Sequence, residues 1–242
     1  RVVSEQLSVT FDETPPVVSL ITPTQGACTN AQSINVCARV DDPESEVTRV
    51  TLNGQLIDLT ASEGQPAGWW RDFCVAKPLS SGAQTFTISA TNGAGAQSSD
   101  QAQITVDRLA PNVSFGQVEG AWYGASSRGV VTVQGVVSSA DCPLSPQGFK
   151  VYTLGLNASN ELVRVSAGRT PTLSAEGAFT YLETFSEGEQ AVEVELTDTA
   201  GNTRSRTHTF KVDRTGPDLY LNEPESEQVV GRSPALNLSL QL

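Results

Sequence analysis

Residues 196–202 read Leu-Thr-Asp-Thr-Ala-Gly-Asn, and after an alternating polar run residues 210–217 read Phe-Lys-Val-Asp-Arg-Thr-Gly-Pro. The same phrase occurs earlier. Residues 90–96 are Ala-Thr-Asn-Gly-Ala-Gly-Ala, and residues 104–111 are Ile-Thr-Val-Asp-Arg-Leu-Ala-Pro. Its ending also opens the chain, as Val9-Thr10-Phe11-Asp12-Glu13-Thr14-Pro15-Pro16. The marker aspartate therefore recurs at Asp12, Asp107 and Asp213, 95 and 106 residues apart. A near-fixed, domain-sized period marks an array of like domains and not a solenoid of short repeats.

Working outward, residues 82–111 and 188–217 align without a gap, so that Phe86, Ile88 and Ala90 stand opposite Val192, Val194 and Leu196. Upstream, Phe73, Val75, Lys77 and Leu79 match Phe179, Tyr181, Glu183 and Phe185. Ile34, Val36, Ala38 and Val40 alternate with Asn35, Cys37 and Arg39, which predicts a half-buried strand. Val47–Leu52 predicts the next, closed by the hairpin pair Asn53-Gly54. The second unit offers about seven alternating runs between Val113 and Val212, and no segment sustains a 3.6-residue period. The expectation is all-β, with two sandwiches of about seven strands each. Residues 1–13 are expected to be the last strand of a preceding domain, 14–108 the first full unit and 109–215 the second. Residues 216–242 are expected to open a third, incomplete unit. With only its first strands present, that unit should not fold alone, and residues 222–242 should be mobile or packed on a neighbour.

The formal charge of −12 argues against a nucleic-acid surface. With 38% hydrophobic residues the chain can still build a core, and no apolar run is long enough to span a bilayer. The chain contains no Met and begins Arg1-Val2-Val3, so we expect it to start after processing or to be a piece of a longer protein. Four cysteines and a single histidine fit no zinc pattern, and scattered cysteines in an acidic β chain favour disulfides and an oxidising compartment.

These features resemble the bacterial Ig-like domains found in tandem in secreted and surface proteins, and are similar to adhesin-type repeats and glucodextranase B-domain-like modules. The resemblance rests on the Pro-x-Val entry and the Asn53-Gly54 hairpin. It rests also on Gly177-Ala178-Phe179, the Asp198-Thr199-Ala200-Gly201-Asn202 turn and the closing Val-Asp-Arg-x-x-Pro. It covers essentially the whole chain, and it implies a fold more than a function. Residues 92–96 of the first unit depart from it, with Asn92 where the second unit has Asp198. The implied role is a non-catalytic structural or adhesive spacer, extracellular or in the cell envelope. Its partners would be other Ig-like domains of the same chain, with a surface protein or glycan as a further candidate. The alternative is a carbohydrate-binding accessory module of a secreted enzyme, stacking sugars on Trp69 and Trp70.

No catalytic residues are expected. His208 reads as a surface residue beside Thr207 and Thr209, with no nucleophile motif nearby. Glu183, Glu187, Glu189, Glu193 and Glu195 read as a solvated face, not as two carboxylates across a cleft. Trp122-Tyr123 reads as a residue pair at a domain junction. Asn112, Asn157 and Asn237 begin glycosylation triplets, which are common by chance.

In an Ig-like sandwich the entry linker and the second-to-third-strand loop share one end. That would gather Asp12 and Glu13 with Asp41, Asp42 and Glu44, making Ca²⁺ the one candidate cofactor, against a plain solvated acidic turn. In the same fold Cys37 and Cys74 lie on neighbouring strands, out of phase with the core, and are expected to form a cross-strand disulfide. Cys28 lies at the exit end of the first unit and Cys142 at the entry end of the second. They are expected to bridge the two, the alternative being a free Cys142 with Cys28 paired to Cys37 or Cys74.

Overall fold

Period-two alternation becomes strand wherever the sequence carries it. In the computed structural model, residues 11–58, 63–64, 70–124, 129–215, 220–223 and 239–241 are described. The first unit contains β1 (Val17–Thr22), β2 (Cys28–Thr29), β3 (Ser33–Asp41), β4 (Val47–Leu52) and β5 (Gln55–Leu56). It continues with β6 (Glu63–Gly64), β7 (Trp70–Pro78), β8 (Gly82–Asn92) and β9 (Gln97–Val106). One sheet runs β1-β3-β7-β6 and the other β2-β9-β8-β4-β5.

The second unit repeats the plan. It comprises β10 (Asn112–Phe115), β11 (Trp122–Gly124), β12 (Val130–Ser138), β13 (Leu144–Leu156), β14 (Leu162–Arg164), β15 (Ala178–Thr184), β16 (Gly188–Asp198) and β17 (Thr203–Asp213). Its sheets run β10-β12-β15 and β11-β17-β16-β13-β14. Finally β18 (Tyr220–Glu223) and β19 (Ser239–Gln241) pair with each other. The chain is thus a tandem of Ig-like β-sandwiches. Residues 1–10, where the last strand of a preceding domain was expected, lie outside the described residues, as does most of 216–242.

Each sandwich buries one face of each sheet. Val36, Val40, Val50, Leu52, Ile88, Ile104 and Val106 form the first core with Phe73 and Phe86. The second core is more aromatic. Phe149, Phe179, Phe185, Phe210 and Tyr181 join Val133, Val151, Val192, Val194 and Leu196. The Gly-x-Phe signal has a steric cause, because a Cβ on Gly177 would lie 2.1 Å from the Val137 carbonyl oxygen, at φ +80°. The hairpin pair also behaves as its residue types require, with Asn53 at φ 50° and Gly54 at φ 78°.

Three details differ from the sequence reading. The short strands β2 and β11 run parallel to β9 and β17, in segments that otherwise read as loop. They are too short to show an alternating pattern. His208 is not a surface residue, being 1% exposed. It shares the inward phase of Phe210 and Val212, and its flanking threonines disguise that phase. Its ring stacks on Phe115 at 4.5 Å, and Nδ1 lies 3.1 Å from Glu119 Oε2. The acidic face is not merely solvated either. Arg164 pairs with Glu193 and Glu195 at 2.8 and 2.6 Å, and Arg169 with Glu183 at 3.1 Å.

Candidate functional site

The residues that carry the repeat grammar sit at the linkers, and those around Asp107 form the junction between the sandwiches. Each marker aspartate folds the linker onto itself. Asp12 Oδ1 accepts from Thr14 N (2.9 Å), Asp107 Oδ1 from Leu109 N (2.9 Å) and Asp213 Oδ1 from Thr215 N (3.0 Å).

Asp107 is 1% exposed, and a carboxylate so buried must be supplied with donors. Its Oδ2 accepts from Cys142 N at 3.0 Å, and its backbone carbonyl accepts from Asn202 Nδ2 at 2.8 Å. Both donors belong to the second sandwich. Arg108 points the other way. Its Nη2 donates to the carbonyls of Ala31 (2.8 Å) and Leu79 (3.0 Å), both in the first sandwich. The Asp-Arg pair therefore grips both neighbours of the linker it occupies.

Cys28 and Cys142 close the same junction covalently, with Cα atoms 6.1 Å apart and Cys142 fully buried. The other bridge, Cys37–Cys74, lies within the first sandwich. The two residues face each other in the β3–β7 register with Cα atoms 4.1 Å apart, on the outer side of the sheet.

The turn that seats Asn202 is built identically in both units. Asp198 Oδ1 accepts from Asn202 N at 2.8 Å, and Asn92 Oδ1 accepts from Ala96 N at 2.8 Å. The carboxamide oxygen of Asn92 thus does the turn-forming work of the carboxylate. Its NH₂ is left to donate elsewhere, and it reaches Asp12 Oδ2 (2.8 Å), Thr14 O (2.9 Å) and Asp42 Oδ2 (3.0 Å).

That arrangement decides how the acidic cluster is organised. Asp42 is fully buried, and its Oδ1 accepts from Glu44 N and Ser45 N at 3.0 and 2.9 Å. Ser45 Oγ donates to Asp12 Oδ2, and this hydrogen bond holds the Asp12 carboxyl below its ordinary value. Glu44 accepts from Thr14 Oγ1 at 3.1 Å, while Glu13 and Asp41 are exposed. Asp12 and Asp42 are brought together, then, around an amide donor whose hydrogens occupy the space between them. Among the described residues no group of three or more such side chains is placed to hold a metal ion.

Of the aromatic candidates, Trp69 lies outside the described residues, and so does the side chain of Trp70, whose backbone pairs with Asp41 at the start of β7. Trp122 and Tyr123 point opposite ways. Tyr123 packs on Phe210 at 4.9 Å, and burial pushes its phenol up to about 12. Trp122 is 67% exposed.

No protein-family model matches the chain, and no curated protein sequence matches it with significance. Solved structures of similar fold include the fibronectin(III)-like modules of Clostridium thermocellum CbhA, at 15% identity and TM-score 0.39, covering 81% of this chain and 94% of that one. An I-band fragment from titin is 15% identical at TM-score 0.46, covering 95% and 87%. A tetra-tandem repeat in the extending region of a large adhesion protein is 19% identical at TM-score 0.35, covering 88% and 53%.

Proposed function

We propose that this chain is a non-catalytic structural or adhesive spacer, part of a tandem Ig-like array in a secreted or cell-surface bacterial protein. The observation that carries this reading is the junction, where the disulfide, Asp107, Arg108 and Asn202 all act to fix one sandwich on the next. Such a clamp suits a part that transmits distance and orientation, and two disulfides suit an oxidising compartment. Calcium at the Asp12–Asp42 end remains a proposal of lower rank, because the Asn92 amide already supplies donors there.

A glycan array on the wild-type chain and on its Trp69→Ala and Trp70→Ala variants tests the reading. A spacer gives no binding that depends on either tryptophan. Clear binding lost in either variant assigns the chain to the sugar-binding accessory modules instead.

A further inference from the structure

Two loops of the molecule share one plan. Thr24-Gln25-Gly26-Ala27 leads into β2 of the first unit, and Val118-Glu119-Gly120-Ala121 into β11 of the second. In each, the alanine N–H donates to the carbonyl three residues back, Thr24 at 3.2 Å and Val118 at 3.1 Å. Each glycine N–H donates to the last long strand, Gly26 to the Gln103 carbonyl and Gly120 to the Thr209 carbonyl, both at 2.8 Å. Each alanine carbonyl accepts from the same strand, from Thr105 N and from Lys211 N, both at 2.9 Å. Gln103 and Thr209 correspond in the gap-free alignment, as do Thr105 and Lys211.

The loops part at one side chain. The Gln103 N–H donates to the Gln25 carboxamide oxygen at 2.7 Å, and the Thr209 N–H to Glu119 Oε1. The first acceptor never ionises and the second does. Behind Gln103 stands Ala102, and behind Thr209 stands His208, both buried. Glu119 also accepts from Thr209 Oγ1, and its Oε2 lies 3.1 Å from His208 Nδ1. His208 Nε2 is buried without a hydrogen-bond partner, and an ionised carboxylate only accepts, so the ring carries its proton on Nδ1. Three donors thus meet on one carboxylate.

We propose that Glu119 and His208 form an acid-released latch on β11, a titratable version of the fixed clasp that Gln25 makes on β2. A proton on Glu119 would place an O–H where three donors already point, and at least one of them would lose its acceptor. The Glu119 side chain is 56% exposed, so protons reach it from solvent. Burial pushes its carboxyl up, but the bonds from Thr209 and His208 together hold it below its ordinary value. The latch is therefore closed above the unfolded carboxylate value of about 4.3 and opens as the pH falls through the lower, folded one. The other elements around the pair add no group that titrates in this range. β10 brings Phe115, and β15 brings Phe179, which packs on Phe115. β16 sets Val192 and Ala191 opposite His208 and Thr209, and its Glu189 pairs with Lys211 at 3.6 Å. β11 brings the Tyr123 phenol, pushed up to about 12, and β17 itself brings the cations Arg206 and Lys211. β2 needs no such control, because its Cys28 is bridged to Cys142.

Amide hydrogen exchange on the whole chain, read residue by residue by NMR between pH 6 and pH 2.5 and corrected for intrinsic rates, tests the latch against its own counterpart. Protection at Thr209 should fall at least about threefold on acidification, and Gly120 and Lys211 should follow it, since both are tied to the same loop. Gln103, Gly26 and Thr105 should hold their protection over the same range. Glu119→Gln, which gives the second loop the side chain of the first, should make protection at Thr209, Gly120 and Lys211 independent of pH. Flat protection in the wild-type chain overturns the latch. A fall shared by Gln103 overturns it too, as does a fall that persists in Glu119→Gln, because acid would then be loosening the sandwich and not the carboxylate.

Discussion

The two sandwiches share their turns and differ in what fills them. Asn92 and Asp198 close the same reversal with the same 2.8 Å bond, and both units enter through an aspartate that folds back on its linker. Inside, the first unit is mainly aliphatic and carries the Cys37–Cys74 bridge, whereas the second is aromatic and has no disulfide of its own. At aligned positions of the last strand Ala102 and Ile104 of the first become His208 and Phe210 of the second. The hydrogen-bonding grammar of the backbone has few solutions, while a core needs only matching volume and period, so the former repeats and the latter drifts.

The difference can be broken first at the disulfide. Replacing Cys37 and Cys74 by serine should cost the first sandwich about 3–4 kcal/mol, through the entropy of its unfolded chain, and leave the second unchanged. Calorimetry or urea unfolding followed unit by unit reads this. If both transitions fall together, the sandwiches unfold as one body and the contrast between their cores has no thermodynamic meaning.

Smaller and more local is Asn92→Ala, which removes the donor shared by the buried Asp42 and by Asp12 and should cost about 1–3 kcal/mol in the first sandwich. Asn202→Ala sharpens the comparison. Its amide serves Asp198 and the Asp107 carbonyl, so a similar loss should appear together with looser coupling between units.

The smallest effect is in pH. The Arg164 guanidinium holds the Glu193 carboxyl below its ordinary value, against a smaller opposing effect of burial. The folded state therefore binds this proton less readily than the unfolded state. The stabilisation is present above the unfolded carboxylate value of about 4.3 and is lost as the pH falls through the lower, folded one. About 0.2–1 kcal/mol is at stake in the second sandwich, and Arg164→Gln should remove that pH dependence.

Strand and turn were legible because they are local. Period two is visible over six residues, and Gly177 and Gly201 announce their turns. Phase was harder where polar neighbours mask it, as Thr207 and Thr209 mask His208. The donors of the acidic cluster were not legible, since Asn92 meets Asp42 across 50 residues of sequence. Nor was the two-sided action of Asp107 and Arg108, whose partners at Cys142, Asn202, Ala31 and Leu79 become neighbours only once both units have folded. The outward turn of Trp122 depends on a three-residue strand, shorter than any periodic signal.

The central claim is that the junction holds the two sandwiches as one rigid piece, and residual dipolar couplings measured for each sandwich test it most directly. In the oxidised wild-type chain both units should report one common alignment tensor. In the Cys28→Ser/Cys142→Ser variant the tensors should diverge in part, with Asp107, Arg108 and Asn202 still limiting the swing. Two unrelated tensors in the oxidised wild-type chain would contradict the account.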